Sequence, residues 1–259
     1  MNNIDLFSGI GAWRHAGNIV SILFDYLSLY YIPTVSVEID DFVNNIREAK
    51  FSTVVYRDIR DYDLVLSDLN FLYMSFPCHG TSQRGKREGL ANVNSSLFWE
   101  GLRIVKISKP RFIIIEQPQG IVSNGLDVIV KEVENIGYKT AVVMLSARAF
   151  GLPQRRNRVF IIASDSYDLQ RIVYSQSGWT DSFRATFETV RSYALRSQVE
   201  SGFCEKVNGV YRLSKDYCAD CGVENYEGRY LEINAYARSI VPYCAAVPLA
   251  FLVGLDDCI

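Results

Sequence analysis

The sequence predicts an α/β fold, a sheet of parallel strands with helices on both faces. Three observations carry this. Short apolar runs recur along the first two thirds of the chain, at Asn3 to Phe7, Thr34 to Glu38, Leu69 to Ser75, Arg111 to Glu116, Lys139 to Leu145 and Arg158 to Ala163. Longer mixed segments lie between them, and strands alternating with helices argue a parallel sheet. Phe7, Glu38, Ser75 and Glu116 fall at the carboxyl ends of four runs, the edge at which such sheets bind ligands.

The elements follow in order. The first run leads into Ser8-Gly9-Ile10-Gly11, a turn, and Ala12 onward can start a helix. A second helix is expected over Asp41 to Lys50 and a further apolar stretch over Ser52 to Tyr56. Ser96 to Ser108 places Leu97, Phe98, Gly101, Leu102, Ile104 and Val105 at the spacing of an amphipathic helix. Asp127 to Ile136 is the next helix. From Ser164 to Glu232 the chain is polar, rich in Tyr, Ser and Arg, without clear alternation. It reads as a small second domain or a long insertion. From Ala235 the chain turns apolar and is expected to rejoin the main core as a helix. The organisation is thus a catalytic and cofactor domain over 1–163, a small, mostly irregular region over 164–234, and a C-terminal segment over 235–259 that packs back.

A chain of 259 residues fits one large domain, or one domain plus a small appendage. Its apolar runs are too short to span a membrane, and no signal pattern marks the N-terminus, so a cytoplasmic protein is expected. Six cysteines without a secretion signal read as thiols. The net charge of −2 gives no global sign of nucleic-acid binding, but local basic clusters can bind phosphates. Arg84, Lys86 and Arg87 form one cluster, and Arg155, Arg156 and Arg158 another. Arg103, Lys106, Lys109 and Arg111 read as the solvated side of a helix. Cys218-x-x-Cys221 has the local spacing of a metal site but lacks two further ligands nearby, so no metal is expected.

Two constellations carry chemistry. Glycines in the first turn allow close backbone approach to a ligand, although a tight turn with no ligand has the same composition. Glu38 ends the second strand, where an acidic residue grips ribose hydroxyls in doubly wound folds. Asp58-Ile59 follows the third stretch, and such a pair can take an adenine amino group and cover the ring. The turn is neither G-x-G-x-x-G nor a phosphate loop, which favours S-adenosylmethionine over a dinucleotide or ATP. Cys78, in Phe76-Pro77-Cys78-His79-Gly80-Thr81-Ser82, is either a buried small hydrophobe or a nucleophile held on a loop.

Taken together and in order, these motifs resemble those of the C5 cytosine DNA methyltransferases. Asp5-Leu6-Phe7-Ser8-Gly9-Ile10-Gly11 is similar to the first cofactor motif, with Glu38 and Asp58-Ile59 as the second and third. Pro77-Cys78 is similar to the nucleophile motif, Glu116 stands in the place of Glu-Asn-Val, and Gln154-Arg155-Arg156-Asn157-Arg158 in that of Gln-x-Arg-x-Arg. The resemblance implies a Rossmann-like class I S-adenosylmethionine-dependent methyltransferase sheet. It implies a cofactor site of Asp5, Phe7, Ser8, Gly9, Gly11, Glu38, Asp58, Ile59, Pro77 and Leu97. It implies Cys78 as nucleophile, Glu116 as the donor to N3 of cytosine, Arg158 at the O2 edge, and Arg156 on a flanking phosphate or on Cys78. Ser82, Arg84, Lys86, Arg87 and Gln154 would meet DNA, the first four on a loop with the look of a mobile lid. Residues 164–234 stand in the place of the target-recognition region.

The implied function is methylation of cytosine C5 in double-stranded DNA, within a prokaryotic or phage-encoded restriction-modification system. An RNA cytosine methyltransferase and a catalytically weak DNA- or partner-binding relative are the alternatives. The short recognition region leaves room for a partner subunit. Three departures bear on activity. His79 and Thr81 replace the usual Gln and Phe, and Gln117-Pro118 replaces Asn-Val, whose Asn braces the nucleophile loop. Cys244-Ala245-Ala246-Val247-Pro248 replaces Gly-Asn-Ala-Val-Pro; alternatively Gly254-Leu255-Asp256-Asp257 aligns with the preceding motif and the last helix is missing.

Overall fold

The computed structural model describes residues 2–24, 31–48, 53–63, 66, 68–77, 97–152, 156–200, 204–207, 210–213 and 241–256. Strands β1 (Asn2–Leu6), β2 (Val35–Val37), β3 (Val54–Tyr56), β4 (Leu69–Met74), β5 (Phe112–Pro118), β6 (Lys139–Ser146) and β7 (Asn157–Ser164) form one sheet in the order β3-β2-β1-β4-β5-β7-β6. Helices α1 (Ala12–Phe24), α2 (Asp41–Glu48), α3 (Leu97–Ser108), α4 (Ile121–Asn124) and α5 (Leu126–Asn135) fill the connections.

The sheet is mixed, which corrects the expectation of parallel strands throughout. Strands β1 to β5 are parallel, but β7 runs antiparallel to both β5 and β6. Only residues 147–156 join β6 to β7. That is too short for the crossover a parallel pair requires. The antiparallel pairing also carries β5 two residues past Glu116, to Pro118 opposite Arg158.

Alternation along the strands builds two cores. Phe71, Tyr73, Phe112, Ile114, Phe160 and Ile162 face one side, with Trp13, Ala16 and Val20 of α1. Leu72, Met74, Ile113, Ile115, Val159 and Ile161 face the other, with Phe98 and Leu102 of α3 and Ile129 and Val133 of α5. Strands buried on both faces read as continuous apolar runs, as Phe112 to Ile115 does. Gly101 lets α3 settle on β4, since a Cβ there would lie 2.5 Å from the Met74 methyl.

Residues 164–200 are more regular than their polar composition suggests. After α6 (Leu169–Val173) and the small hairpin of β8 (Tyr174–Ser175) and β9 (Gly178–Trp179), α7 (Asp181–Glu200) runs for 20 residues. Phe183, Val190 and Ala194 are buried in the first core, with Phe187 packed against them. The spacing 183, 187, 190, 194 is one narrow helical stripe, easily lost among polar neighbours. Strands β10 (Cys204–Val207) and β11 (Val210–Leu213) pair as an antiparallel hairpin.

The C-terminal apolar segment is helix α8 (Pro242–Asp256), with Pro248 inside it. Cys244 to Val247 and Leu249 to Val253 are all buried, as expected of a helix that is apolar all round. It packs along α1 and α7. Among the described residues no helix is long and apolar enough to cross a membrane, and no cluster of His, Cys, Asp or Glu could hold a metal.

Candidate active site

The order β2-β1-β4 creates a switch point, because the chain leaves β1 toward β2 and β3 and returns on the other side at β4. The carboxyl ends of these strands frame a crevice there. Phe7, Gly9 and Gly11 have φ of 61, 51 and 86°. For Phe7 this is a strained conformation of the kind that clusters at functional sites. The turn is tied over β2 by Ser8 N to Val37 O at 3.0 Å, and it closes on itself by Gly11 N to Ser8 O at 3.0 Å.

Glu38 is the hub of this edge. Its carboxylate accepts from Gly9 N at 2.8 Å and from Asp40 N at 3.0 Å. Its backbone N donates to Tyr56 O, and its carbonyl accepts from Asn44 Nδ2 at 2.8 Å. Buried Arg47 holds Asn44 Oδ1 at 2.9 Å and Thr53 Oγ1 at 2.9 Å. Asp58 caps the short turn Ile59–Asp61 by accepting from Arg60 N. The Arg60 guanidinium also grips its carboxylate, which lowers the Asp58 pKa. Ile59 is buried against the second core. Asp5 stands behind the turn and is 1% exposed. Burial raises its pKa well above the usual carboxylate range, opposed by Arg47 and reinforced by Glu38.

These residues fit a nucleoside cofactor. The Ser8 hydroxyl is buried with no hydrogen-bond partner among the described residues. A Cβ on Gly9 would meet nothing within 4 Å, so the turn faces open space. Pro77 ends the segment after β4, and Leu97 opens α3; both are half-buried. Arg103 corrects the view of its cluster as a solvated face. It donates to Ile59 O and Tyr62 O, both at 3.0 Å, and pairs with Glu100 at 2.8 Å. It therefore fastens α3 to the turn after Asp58.

Across the crevice, Glu116 is 6% exposed. Arg158 Nε lies 2.6 Å from Glu116 Oε1. The pair is diagonal across β5 and β7, with Glu116 opposite Phe160 and Arg158 opposite Pro118. Burial raises the Glu116 pKa against the lowering effects of Arg158, Arg156 and a hydrogen bond from Ser75. A carboxyl so placed can hold a proton nearer neutrality than a solvated one. Gln117 Nε2 donates to Phe76 O at 2.8 Å, and the bond is buried. The longer amide thus ties β5 to the segment after β4, two residues before Cys78 in the sequence.

The structure brings together Glu116, Arg156 and Arg158 on one side of the crevice and Phe7 to Gly11 with Glu38 on the other. Cys78, Ser82, Arg84, Lys86, Arg87 and Gln154, together with His79, Thr81, Cys218 and Cys221, lie outside the described residues. Sequence reasoning placed Ser75 on this edge without giving it a role, and it missed Trp13, Asn44 and Arg47. The one signal for Ser75 was a polar residue closing an apolar strand. Asn44 and Arg47 look like an ordinary polar helix face.

The profile of the C-5 cytosine-specific DNA methylases matches residues 1–228. The Type II methyltransferase M1.ScrFI of Lactococcus lactis subsp. cremoris is 31% identical over 170 residues, covering 62% of this chain and 41% of that protein. The Type II methyltransferase M.DdeI of Desulfomicrobium norvegicum is 33% identical over 183 residues, covering 64% of this chain and 41% of that protein. The chain thus spans about two fifths of the length of these relatives. Among solved structures, the S. pombe Dnmt2 methyltransferase superposes with a TM-score of 0.52 at 16% identity, covering 98% of both chains. The Entamoeba histolytica methyltransferase EhMeth gives 0.51 at 19% identity, over 71% of this chain and 59% of that one. The likeness to these two structures is one of fold. With the glycine turn, the acidic strand ends and the clamped Glu116 all on one sheet edge, the match over residues 1–228 establishes that this chain belongs to the C-5 cytosine-specific DNA methylase family.

Proposed function

We propose that this chain methylates C5 of cytosine in double-stranded DNA. The observation that carries the reading is Glu116, buried, raised in pKa and clamped by Arg158, next to the braced segment that leads to Cys78. Carbon 5 of cytosine is a weak nucleophile. Addition of the Cys78 thiolate to C6 makes the ring an enamine. Negative charge then builds on the ring, and protonated Glu116 donates to N3 while Arg158 holds the O2 edge. S-adenosylmethionine, when bound, supplies an electrophilic methyl group. The methyl would pass to C5 with S-adenosylhomocysteine as the leaving group; loss of the C5 proton to a solvent base and return of the N3 proton to Glu116 would then release the Cys78 thiolate from C6 and restore the aromatic ring.

Glu38 suits the ribose hydroxyls, the Ser8 hydroxyl and the Gly9 to Gly11 turn suit the rest of the cofactor, and Asp58 with Ile59 suits the adenine. Asp58 must share its carboxylate between Arg60 and an adenine amino group. A base inside a duplex is out of reach, so the target must be flipped out. Ser82, Arg84, Lys86, Arg87 and Gln154 are the proposed DNA contacts, and residues 164–234 the recognition region. The bacterial relatives, both Type II methyltransferases, support a restriction-modification role; the proposed setting is the cytoplasm of a prokaryote, or a phage.

The test is transfer from tritiated S-adenosylmethionine to mixed-sequence duplex DNA and, separately, to tRNA, with Cys78→Ser as control. Label in DNA that vanishes in the control is the expected result. Label in tRNA alone would move the reading to RNA. Cofactor binding with no label in either would make the chain a binding relative.

A further inference from the structure

A chain of polar contacts runs from the cofactor helix to the acid. Trp13, in the first turn of α1, is 1% exposed and stacks on Tyr73 at 4.8 Å. Its indole Nε1 donates to the Ser75 hydroxyl at 3.3 Å. Ser75 follows Met74, which pairs with Ile115, so the β4–β5 register sets Ser75 beside Glu116. Ser75 N donates to Leu6 O at 3.2 Å, which ties the same residue to the strand leading into the glycine turn. Ser75 therefore touches both halves of the crevice.

Donor and acceptor roles set the direction. An indole N–H can only donate and an arginine can only donate. The Ser75 oxygen accepts from Trp13, which leaves its own proton to go to Glu116. Arg158 already occupies Oε1. Two directed donors on one carboxyl confine its acidic proton to the positions they leave open.

We propose that Ser75 and Trp13 are positioning residues for the acid. Trp13 orients the Ser75 hydroxyl, and Ser75 with Arg158 fixes how Glu116 presents its proton. This rests on the reading of Glu116 as the acid for a flipped cytosine. It also couples the two halves, because a shift of α1 on cofactor binding would reach Glu116 through the Ser75 hydroxyl.

Among the described residues, the groups facing Glu116 are Arg158 of β7, Arg156 just before it, Ser75 after β4 and the Cys244 thiol of α8. Burial pushes that thiol up to about 12, so it stays neutral through the working range. The Ser75 bond stabilises the ionised carboxyl and lowers its pKa. Removing it raises that pKa.

The test is the ¹³C titration of the Glu116 carboxyl in the full chain, assigned by its loss in Glu116→Gln. Ser75→Ala is expected to move the midpoint up by roughly 0.5–1 pH unit, the effect of one hydrogen bond. Trp13→Phe, which keeps the ring and loses the N–H, should move it the same way by less. Ser75→Thr should restore it. The alkaline limb of the kcat profile on duplex DNA should follow, with KM for S-adenosylmethionine changed less than twofold. An unmoved midpoint in Ser75→Ala, or no rescue by threonine, overturns the proposal. If the wild-type chain transfers no label, the functional reading fails while the titration still decides the positioning. Should Ser75→Ala not fold, Trp13→Phe and Ser75→Thr carry the same decision.

Discussion

Glu38 and Glu116 are two carboxylates facing one crevice, held in opposite ways. Glu38 follows a three-residue strand and is held by backbone amides from its own turn and the glycine turn. Glu116 lies inside a seven-residue strand, is nearly sealed, and is held by side chains from two separate segments, Arg158 on β7 and Ser75 after β4. Amide donors at a half-open edge leave a carboxylate available for sugar hydroxyls. Burial beside an arginine makes a carboxyl that can be protonated and yet stays oriented. In the proposed mechanism the same functional group serves as a grip on one side and as an acid on the other.

The largest expected effect falls on the acid. Glu116→Gln keeps size and a hydrogen-bond donor but cannot release a proton. Turnover on duplex DNA should drop by about 10²-fold or more, with the dissociation constant for S-adenosylmethionine within about twofold of the parent. Equal turnover in single-turnover assays would end the contrast.

Next is the grip. Glu38→Ala should weaken S-adenosylmethionine by about 10-fold or more in calorimetry, the loss of charge-assisted hydrogen bonds. At saturating cofactor, adduct formation with 5-fluorocytosine DNA should persist. A variant that binds normally but forms no adduct would place Glu38 on the catalytic side instead.

Gln117→Ala tests the brace between the two. It leaves the buried Phe76 carbonyl without its donor, at a cost of about 1–3 kcal/mol. A thermal midpoint lower by about 2–12 °C is expected for a chain of this size, together with slower adduct formation. Unchanged adduct kinetics would show that the nucleophile loop does not depend on that bond.

The smallest effect concerns Asp5, behind the grip. Its folded pKa is raised, so its protonated form stabilises the fold below the unfolded value of about 3.9, and that contribution is lost as pH rises through the folded pKa. Arg47 and Glu38 are the charges that face it. Asp5→Asn does not titrate. Its stability in urea unfolding, relative to the parent, should therefore rise with pH above about 4, by at most about 1.4 kcal/mol per unit. A flat difference from pH 4 to 8 would show that Arg47 fully offsets the burial.

Much of the sheet was legible because its strands are buried on both faces, and a run such as Phe112 to Ile115 has few other uses. The direction of β7 had one local sign, the connection over 147–156, which is too short for a parallel crossover; the insertion of β7 between β5 and β6 was not legible, since it depends on the partners across it. The stripe Phe183, Phe187, Val190, Ala194 was present but thin against a polar background. In the site, Glu38 and Glu116 were readable from their places at the ends of apolar runs. The roles of Ser75, Trp13 and Gln117 were not, because each acts on a residue 41 or more positions away.

What the sequence determined by itself was the kind of fold, the family, and the candidate grip, nucleophile and acid, since strand periodicity and ordered short motifs are local properties of a chain. What only the tertiary structure decided was the state of those groups. Burial raises Glu116, the diagonal register brings Arg158 onto it, Gln117 reaches across to brace Phe76, and α8 closes beside α1. Each depends on distances between segments remote in sequence, and desolvation and hydrogen bonding act through those distances alone.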